Sequence, residues 1–154
     1  MKKSDINSLL RGITKMTQFT VNDMMIAYSE DAIELASKMG LKLDYSEESL
    51  ETVNEILERY HQGIPKGIKK LFSKGPSEEQ ILQMSKVWGG YLGEVIRRNL
   101  GGDWEMSKNF NNAISLVVSS TEVYPPAKVN KRILNGKEDD ISFYYKVLKQ
   151  QYSG

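Results

Sequence analysis

Residues 77–100 carry the longest regular pattern in the chain, and they constrain the fold most. Ile81, Met84, Trp88, Leu92, Val95 and Ile96 recur at spacings of three and four, the period of one apolar helix face. Ser77 with Gln80 is a capping-box pair, and Glu78 and Glu79 suit a first turn whose macrodipole favours negative charge. Gly101 follows the last periodic residue, where a left-handed cap is expected. A helix of this length needs partners on its apolar side, and the rest of the chain must supply them.

Three further long helices are predicted. Thr20 caps one with a stripe of Met24, Tyr28, Ala32, Leu35 and Met39, stopped by Gly40. Ser46 caps a second over 46–61, with Leu50, Val53, Leu57 and Tyr60 inward and Glu47 and Glu48 in its first turn. Asp139 or Asp140 caps a last one with Ile141, Tyr144, Tyr145, Leu148 and Tyr152 inward. Residues 62–76, with Gly63, Pro65, Gly67, Gly75 and Pro76, form a loop with one helical turn around Ile68–Phe72. Residues 1–19 form a loosely attached N-terminal helix through Ile6, Leu9, Leu10 and Ile13.

The period changes after Gly102. Ala113–Ser119 is β-branched and aliphatic and reads as a strand. Asp103–Met106 is its partner, and Lys108–Asn112 the turn between them. Thr121–Tyr124 extends the sheet or adds an edge strand. Pro125 and Pro126 end it, and Pro126 sits in the first turn of a short helix through Val129, Ile133 and Leu134, which Asn135-Gly136 ends. So small a sheet is unstable alone and must pack on a helix, for which 77–100 is the natural partner. The expectation is one α+β domain over 1–154, mostly helical, with a two- to three-stranded antiparallel sheet.

Composition excludes several functions. The chain of 154 residues has no cysteine, so disulfides, thiolate metal sites and cysteine nucleophiles are absent. Its one histidine, His61, rules out a two-histidine metal site. His61 lacks an identifiable nucleophile or orienting carboxylate in sequence, and a place at a helix C-terminus explains it better. No zinc-protease, nucleophile-elbow or phosphate-loop motif occurs, so no catalytic residue, metal or cofactor is assigned. The start, Met-Lys-Lys-Ser-Asp-Ile-Asn, is followed by no apolar core of a secretory signal, and no apolar run approaches membrane-spanning length. Lys66, Lys69, Lys70 and Lys74 form a local basic loop, but a net charge of +1 does not suit a nucleic-acid binder.

Three constellations remain. Ser85, Gly89 and Gly93 lie four apart on the 77–100 helix, with Gly90 beside them. Each helical glycine costs roughly 1 kcal/mol against alanine, so close approach of another element, or of a ligand, is expected there. Glu94, Arg97 and Arg98 pair along that helix and, with Trp104, are candidate ligands for an anion in a pocket between the helix and the sheet. A structural ion pair is the plainer reading. Glu47, Glu51, Glu55 and Glu58, helped by Asp44 and Glu48, make a negative stripe, which serves as a wet face or steers a basic protein partner.

Three stretches also carry a resemblance: Leu43-Asp44-Tyr45-Ser46-Glu47-Glu48-Ser49-Leu50, the run Tyr91–Trp104 containing Gly93-Glu94-Val95-Ile96-Arg97-Arg98-Asn99-Leu100-Gly101-Gly102, and Val123–Arg132 with Pro125, Lys128, Val129, Lys131 and Arg132. In this order they resemble a family of small bacterial proteins of unknown function, over residues 20–150. The resemblance implies a bacterial cytoplasmic protein and carries over no catalytic residue. By analogy with small bacterial binding proteins, toxin-neutralising immunity proteins among them, it favours a non-enzymatic protein that binds a macromolecule through its acidic 46–61 helix. The competing expectation is a small-molecule binder or enzyme.

Overall fold

The computed structural model describes residues 2–9, 19–67, 69–72, 74–111 and 113–152. Helix α1 starts at residue 3 and is described to residue 9. There follow α2 (Val21–Lys38), α3 (Ser49–Gln62), the single turn α4 (Lys69–Phe72) and α5 (Glu78–Leu100). Strands β1 (Asp103–Met106), β2 (Ile114–Val118) and β3 (Thr121–Val123) come next, then α6 (Pro125–Asn135), a 3-10 turn (Lys137–Asp139) and α7 (Ile141–Tyr152). This is the mostly helical α+β arrangement expected from the sequence.

Helix α5 is the axis of the molecule. Its capping box forms as the spacing predicts, with Ser77 Oγ accepting from the Gln80 N–H at 3.2 Å and Gln80 Oε1 accepting from the Ser77 N–H at 2.9 Å. The difference lies in its middle, where residues 87–96 are buried on every side rather than on one stripe. The glycines explain how. A Cβ at Gly90 would strike Tyr28 Cβ and the Met25 carbonyl of α2; one at Gly89 would strike the Pro126 backbone at the start of α6; one at Gly93 would strike the Trp104 ring of β1. Each glycine admits a different neighbour, and contact with three neighbours offsets the lost helix propensity.

This close approach also corrects the predicted face of α2. Its buried residues are Met25, Ser29, Ala32 and Ala36, whereas Leu35 and Met39 are exposed and Met24 and Tyr28 only half-buried. Three of these four buried side chains are small, which fits the close approach of the two backbones at Gly90. Thr20 caps α2 as expected, reciprocally with Asp23, and Leu41 N–H closes onto the Ala36 carbonyl across Gly40, whose φ is +77°.

The sheet has the order β1-β2-β3, antiparallel throughout. Trp104 pairs with Leu116 and Leu116 with Val123, so three buried side chains form one row across it. Thr121–Val123 is an edge strand, joined to β2 by Ser119 and Ser120 with φ +47° and +69°. Two positive values in a two-residue loop are the type I′ hairpin geometry. The turn before β2 occupies 108–111, and Asn112 lies outside the described residues.

Helix α3 begins at Ser49, not directly after Ser46. Residues 46–48 form a tight first turn, in which Ser49, Leu50 and Glu51 donate to the carbonyls three positions back. Ser46 still serves as a cap, its Oγ accepting from the Ser49 N–H at 3.2 Å. Of its predicted inward residues, Tyr60 is only half-buried. In α6 Leu134 is exposed. In α7 Asp140 is the cap, accepting from the Phe143 N–H at 2.8 Å. Gly101 ends α5 with φ +92° but an extended ψ of 177°, not the left-handed helical cap. At the N-terminus Ile6 and Leu9 are exposed on α1, and Leu10 and Ile13 lie outside the described residues.

Candidate functional site

The Glu94 cluster is assembled by α5 and β1. Glu94 is 0% exposed. Arg97 grips it with two prongs, Nε to Oε2 at 2.7 Å and Nη2 to Oε1 at 2.9 Å. Arg98 Nε donates to Oε1 at 3.3 Å, and Trp104 Nε1 to Oε2 at 2.9 Å. Burial pushes the carboxyl upward, but the hydrogen bonds from Arg97 and Trp104 outweigh it and hold Glu94 below the usual carboxylate range. Four donors occupy its two oxygens, which leaves no acceptor for a substrate proton or ligand. Beyond it, the Arg98 guanidinium lies 3.6 Å from the Tyr45 ring centre, and Tyr45 stacks on Tyr91 at 5.2 Å. Tyr45 holds φ +63°, its N–H donating to Tyr91 Oη and its Oη bonded to Ser29 Oγ. Sequence spacing brought Glu94, Arg97 and Arg98 together and the fold adds Trp104. The result is a filled tie between helix and sheet, with only Arg97 and Arg98 reaching solvent.

The four glutamates of the predicted stripe separate into two pairs. Glu47 is bound by Lys149 of α7 at 2.8 Å. Glu58 is bound by Arg132 of α6 at 3.1 Å, and Gln62 donates to it at 3.3 Å. Glu51 and Glu55 are exposed, one turn apart, and form no salt bridge among the described residues. The stripe is therefore half wet face and half structural.

Arg132 is the residue that sequence reasoning missed. It is 3% exposed and also reaches Asn54, donating from Nε to Oδ1 at 3.3 Å and from Nη2 to the carbonyl at 3.3 Å. Asn54 in turn accepts the Ile141 N–H and donates to Asp140 and Ser142. One signal was available: an arginine three after Val129 and next to Ile133 lies on the buried face of α6. Its carboxylate partner is 74 positions away and leaves no local trace.

His61 has its Nδ1 2.7 Å from the Ile133 carbonyl and its Nε2 3.2 Å from Lys66 Nζ. The carbonyl can only accept, so Nδ1 carries the proton and Nε2 accepts from the ammonium. The ring packs on Gly136, where a Cβ would strike it. Lys66, Lys69, Lys70 and Lys74 are exposed. Among the described residues no group of acidic and histidine side chains could hold a metal ion, and no helix is long and apolar enough to cross a membrane.

Two adjoining grooves open among the described residues. The first, about 400 Å³, runs between the N-terminal half of α5, the sheet and α6, over an apolar floor of Leu82, Ala113, Ile114, Pro126 and Ala127. Lys86, Lys131, Asn130 and Tyr124 supply its polar atoms, with Ser85 behind Asn130. The second, about 530 Å³, shares Ala113, Tyr124, Ala127 and Lys131 and adds Phe110, Glu122, Lys128 and Tyr144. Glu122 there accepts from Tyr124, Ser107, Asn109 and Ser115, and its hydrogen bond from the Tyr124 phenol is the main cause of its lowered pKa. The same bond raises the pKa of Tyr124. A helix–sheet pocket thus exists, but at the other end of α5 from the predicted one: Glu94, Arg97, Arg98 and Trp104 line neither groove.

Comparison with known protein families, with curated proteins and with solved structures finds no match in any of the three.

Proposed function

We propose that the chain acts by binding another protein, and that the outer face of α3 receives a basic partner. The observation that carries this reading is the pair Glu51 and Glu55, exposed and outside every described salt bridge, while Glu47 and Glu58 are held by the fold. Exposed Glu48 and Asp44 add to the same charge. Such a face accelerates encounter with a positive surface by long-range attraction and fixes docking orientation. The most concrete partner is a protein whose working surface is basic, so that docking occludes it, as an immunity protein occludes its toxin. A bacterial cytoplasmic setting for that encounter belongs to the same proposal.

The test uses the intact chain and its Glu51→Lys/Glu55→Lys variant as capture reagents in the native cell extract, followed by association kinetics on whatever the wild type retains. A partner held only by the wild type, whose association slows as salt rises, meets the expectation. A partner held equally by both, with salt-independent association, rejects the acidic face.

A second reading, a small-molecule binder, is favoured by one observation: the first groove has a volume within the range of ligand sites and an apolar floor with few polar groups.

A further inference from the structure

We propose that the first groove is a site for a small organic acid, with its apolar body on Leu82, Ala113, Ile114, Pro126 and Ala127 and its carboxylate between Lys86 of α5 and Lys131 of α6. The inference rests on the reading of that groove as a small-molecule site and gives it a ligand class.

Charge bookkeeping around α6 supplies the argument. Helix α6 carries three basic residues, Lys128, Lys131 and Arg132, and the fold neutralises two of them. Lys128 is bound to Asp139 at 2.9 Å, and Arg132 to Glu58 at 3.1 Å. Lys131, on the groove side, forms no salt bridge among the described residues, and neither does Lys86 facing the same space from α5. No acidic side chain lines this groove. Two carboxylates act near it: Asp139, whose charge reaches Lys131, is already bound by Lys128 at 2.9 Å, and Glu122 of the second groove has its oxygens occupied by four neutral donors. The potential in the groove is therefore positive over an apolar floor, which matches a ligand with one anionic group and one apolar body.

The remaining polar atoms narrow the choice. Ser85 Oγ donates to the Ile81 carbonyl at 2.7 Å and accepts from Asn130 Nδ2 at 3.2 Å, so it is committed to the fold. The Tyr124 hydroxyl proton is committed to Glu122. Few donors remain for a ligand with many hydroxyls, such as a sugar, whereas a monocarboxylate needs only the two ammonium groups. Leu82 is 55% exposed at the rim, an apolar side chain that a ligand tail would cover.

Octanoate is the probe, with octan-1-ol as its neutral counterpart and octylammonium as its cationic one, each titrated into the ¹⁵N-labelled intact chain and followed by amide shifts. The expected result is saturable shifts at Leu82, Ala113, Ile114 and Ala127. Octanoate should bind about tenfold more tightly than octan-1-ol, from two exposed ion pairs worth a factor of a few each. Octylammonium should bind most weakly. The Lys86→Glu/Lys131→Glu variant should abolish the preference for octanoate, and Ala127→Trp should block all three probes. All three positions are exposed, so the variants should keep the wild-type spectrum elsewhere. Equal binding of octanoate and octan-1-ol in the groove would overturn the organic-acid assignment and leave the small-molecule reading standing. No shift in the groove with any probe would overturn both.

Discussion

Trp104 occupies the space that a side chain at Gly93 would need: a Cβ built on Gly93 would overlap the six-membered ring of the indole. The contact joins the sheet to α5, and it sets the place of Glu94, the next residue, whose carboxylate receives the Trp104 N–H at 2.9 Å. One glycine therefore determines both a packing contact and a polar one.

Gly93→Ala tests that relationship. Helix propensity alone would stabilise the variant by roughly 1 kcal/mol. Overpacking against a buried ring costs ~1–3 kcal/mol, and loss of the Trp104–Glu94 hydrogen bond adds about 1.5–3 kcal/mol. The expected net loss is about 3 kcal/mol in urea unfolding. Trp104→Leu in the same chain should recover part of it, because the methyl then meets no ring. Additive losses would show that the two residues do not compete for one space.

Glu94→Gln addresses the electrostatic half. The variant leaves two arginines facing an amide, at an expected cost of about 2–3 kcal/mol at neutral pH. That is below the ~3–5 kcal/mol for a fully buried pair, because Arg97 and Arg98 still reach water. The folded pKa of Glu94 lies below the ordinary glutamate value of 4.5, so its contribution is complete above that value and drains away as pH falls through the folded pKa. Wild type and variant should therefore differ by a constant amount between about pH 7 and 5 and converge in stronger acid. A gap that widens on acidification would contradict the assignment of a depressed pKa.

Arg132→Met removes the cation that joins α6 to α3. Asn54 is buried and would lose two donors to its side-chain and main-chain oxygens, while Glu58, half-exposed, would turn to water. The expected loss is about 2–4 kcal/mol, most of it from Asn54 rather than Glu58. Glu58→Gln leaves the guanidinium held by Asn54 and should cost less, about 1–2 kcal/mol. Equal losses from the two variants would make the ion pair, not the asparagine, the main tie.

What the sequence revealed followed distance along the chain. The cap at Thr20, the capping box at Ser77, the glycine stops, the apolar stripe of α5 and the β-branched run of β2 are all decided within a few residues, so they were readable. The Glu94 pairs with Arg97 and Arg98 are one helical turn apart and were readable too. The inner face of α2 was readable only at Ala32, because Met24, Tyr28 and Leu35 are apolar as well; the approach of Gly90 selects Met25, Ser29, Ala32 and Ala36. The pairing of Glu58 with Arg132 and the groove joining Leu82, Lys86, Ile114 and Lys131 require elements far apart in sequence to be placed first. The Ser119–Ser120 turn hid for another reason: serine carries none of the bias of Asn-Gly toward positive φ.

The final expectation separates binding from folding on α3. Glu47 and Glu58 belong to the fold, and Glu51 and Glu55 do not, although all four carry the same charge on neighbouring turns. Glu51→Lys and Glu55→Lys should each change stability by no more than about 0.5 kcal/mol, the range for exposed positions without partners. Glu58→Lys should cost more than 1 kcal/mol by order of magnitude, since it sets an ammonium against the nearly buried guanidinium of Arg132. Urea unfolding of the three variants decides it. A loss at Glu51 or Glu55 as large as that at Glu58 would mean that the outer carboxylates also hold the fold together. Weakened partner binding by their reversal could then no longer be read as lost docking charge.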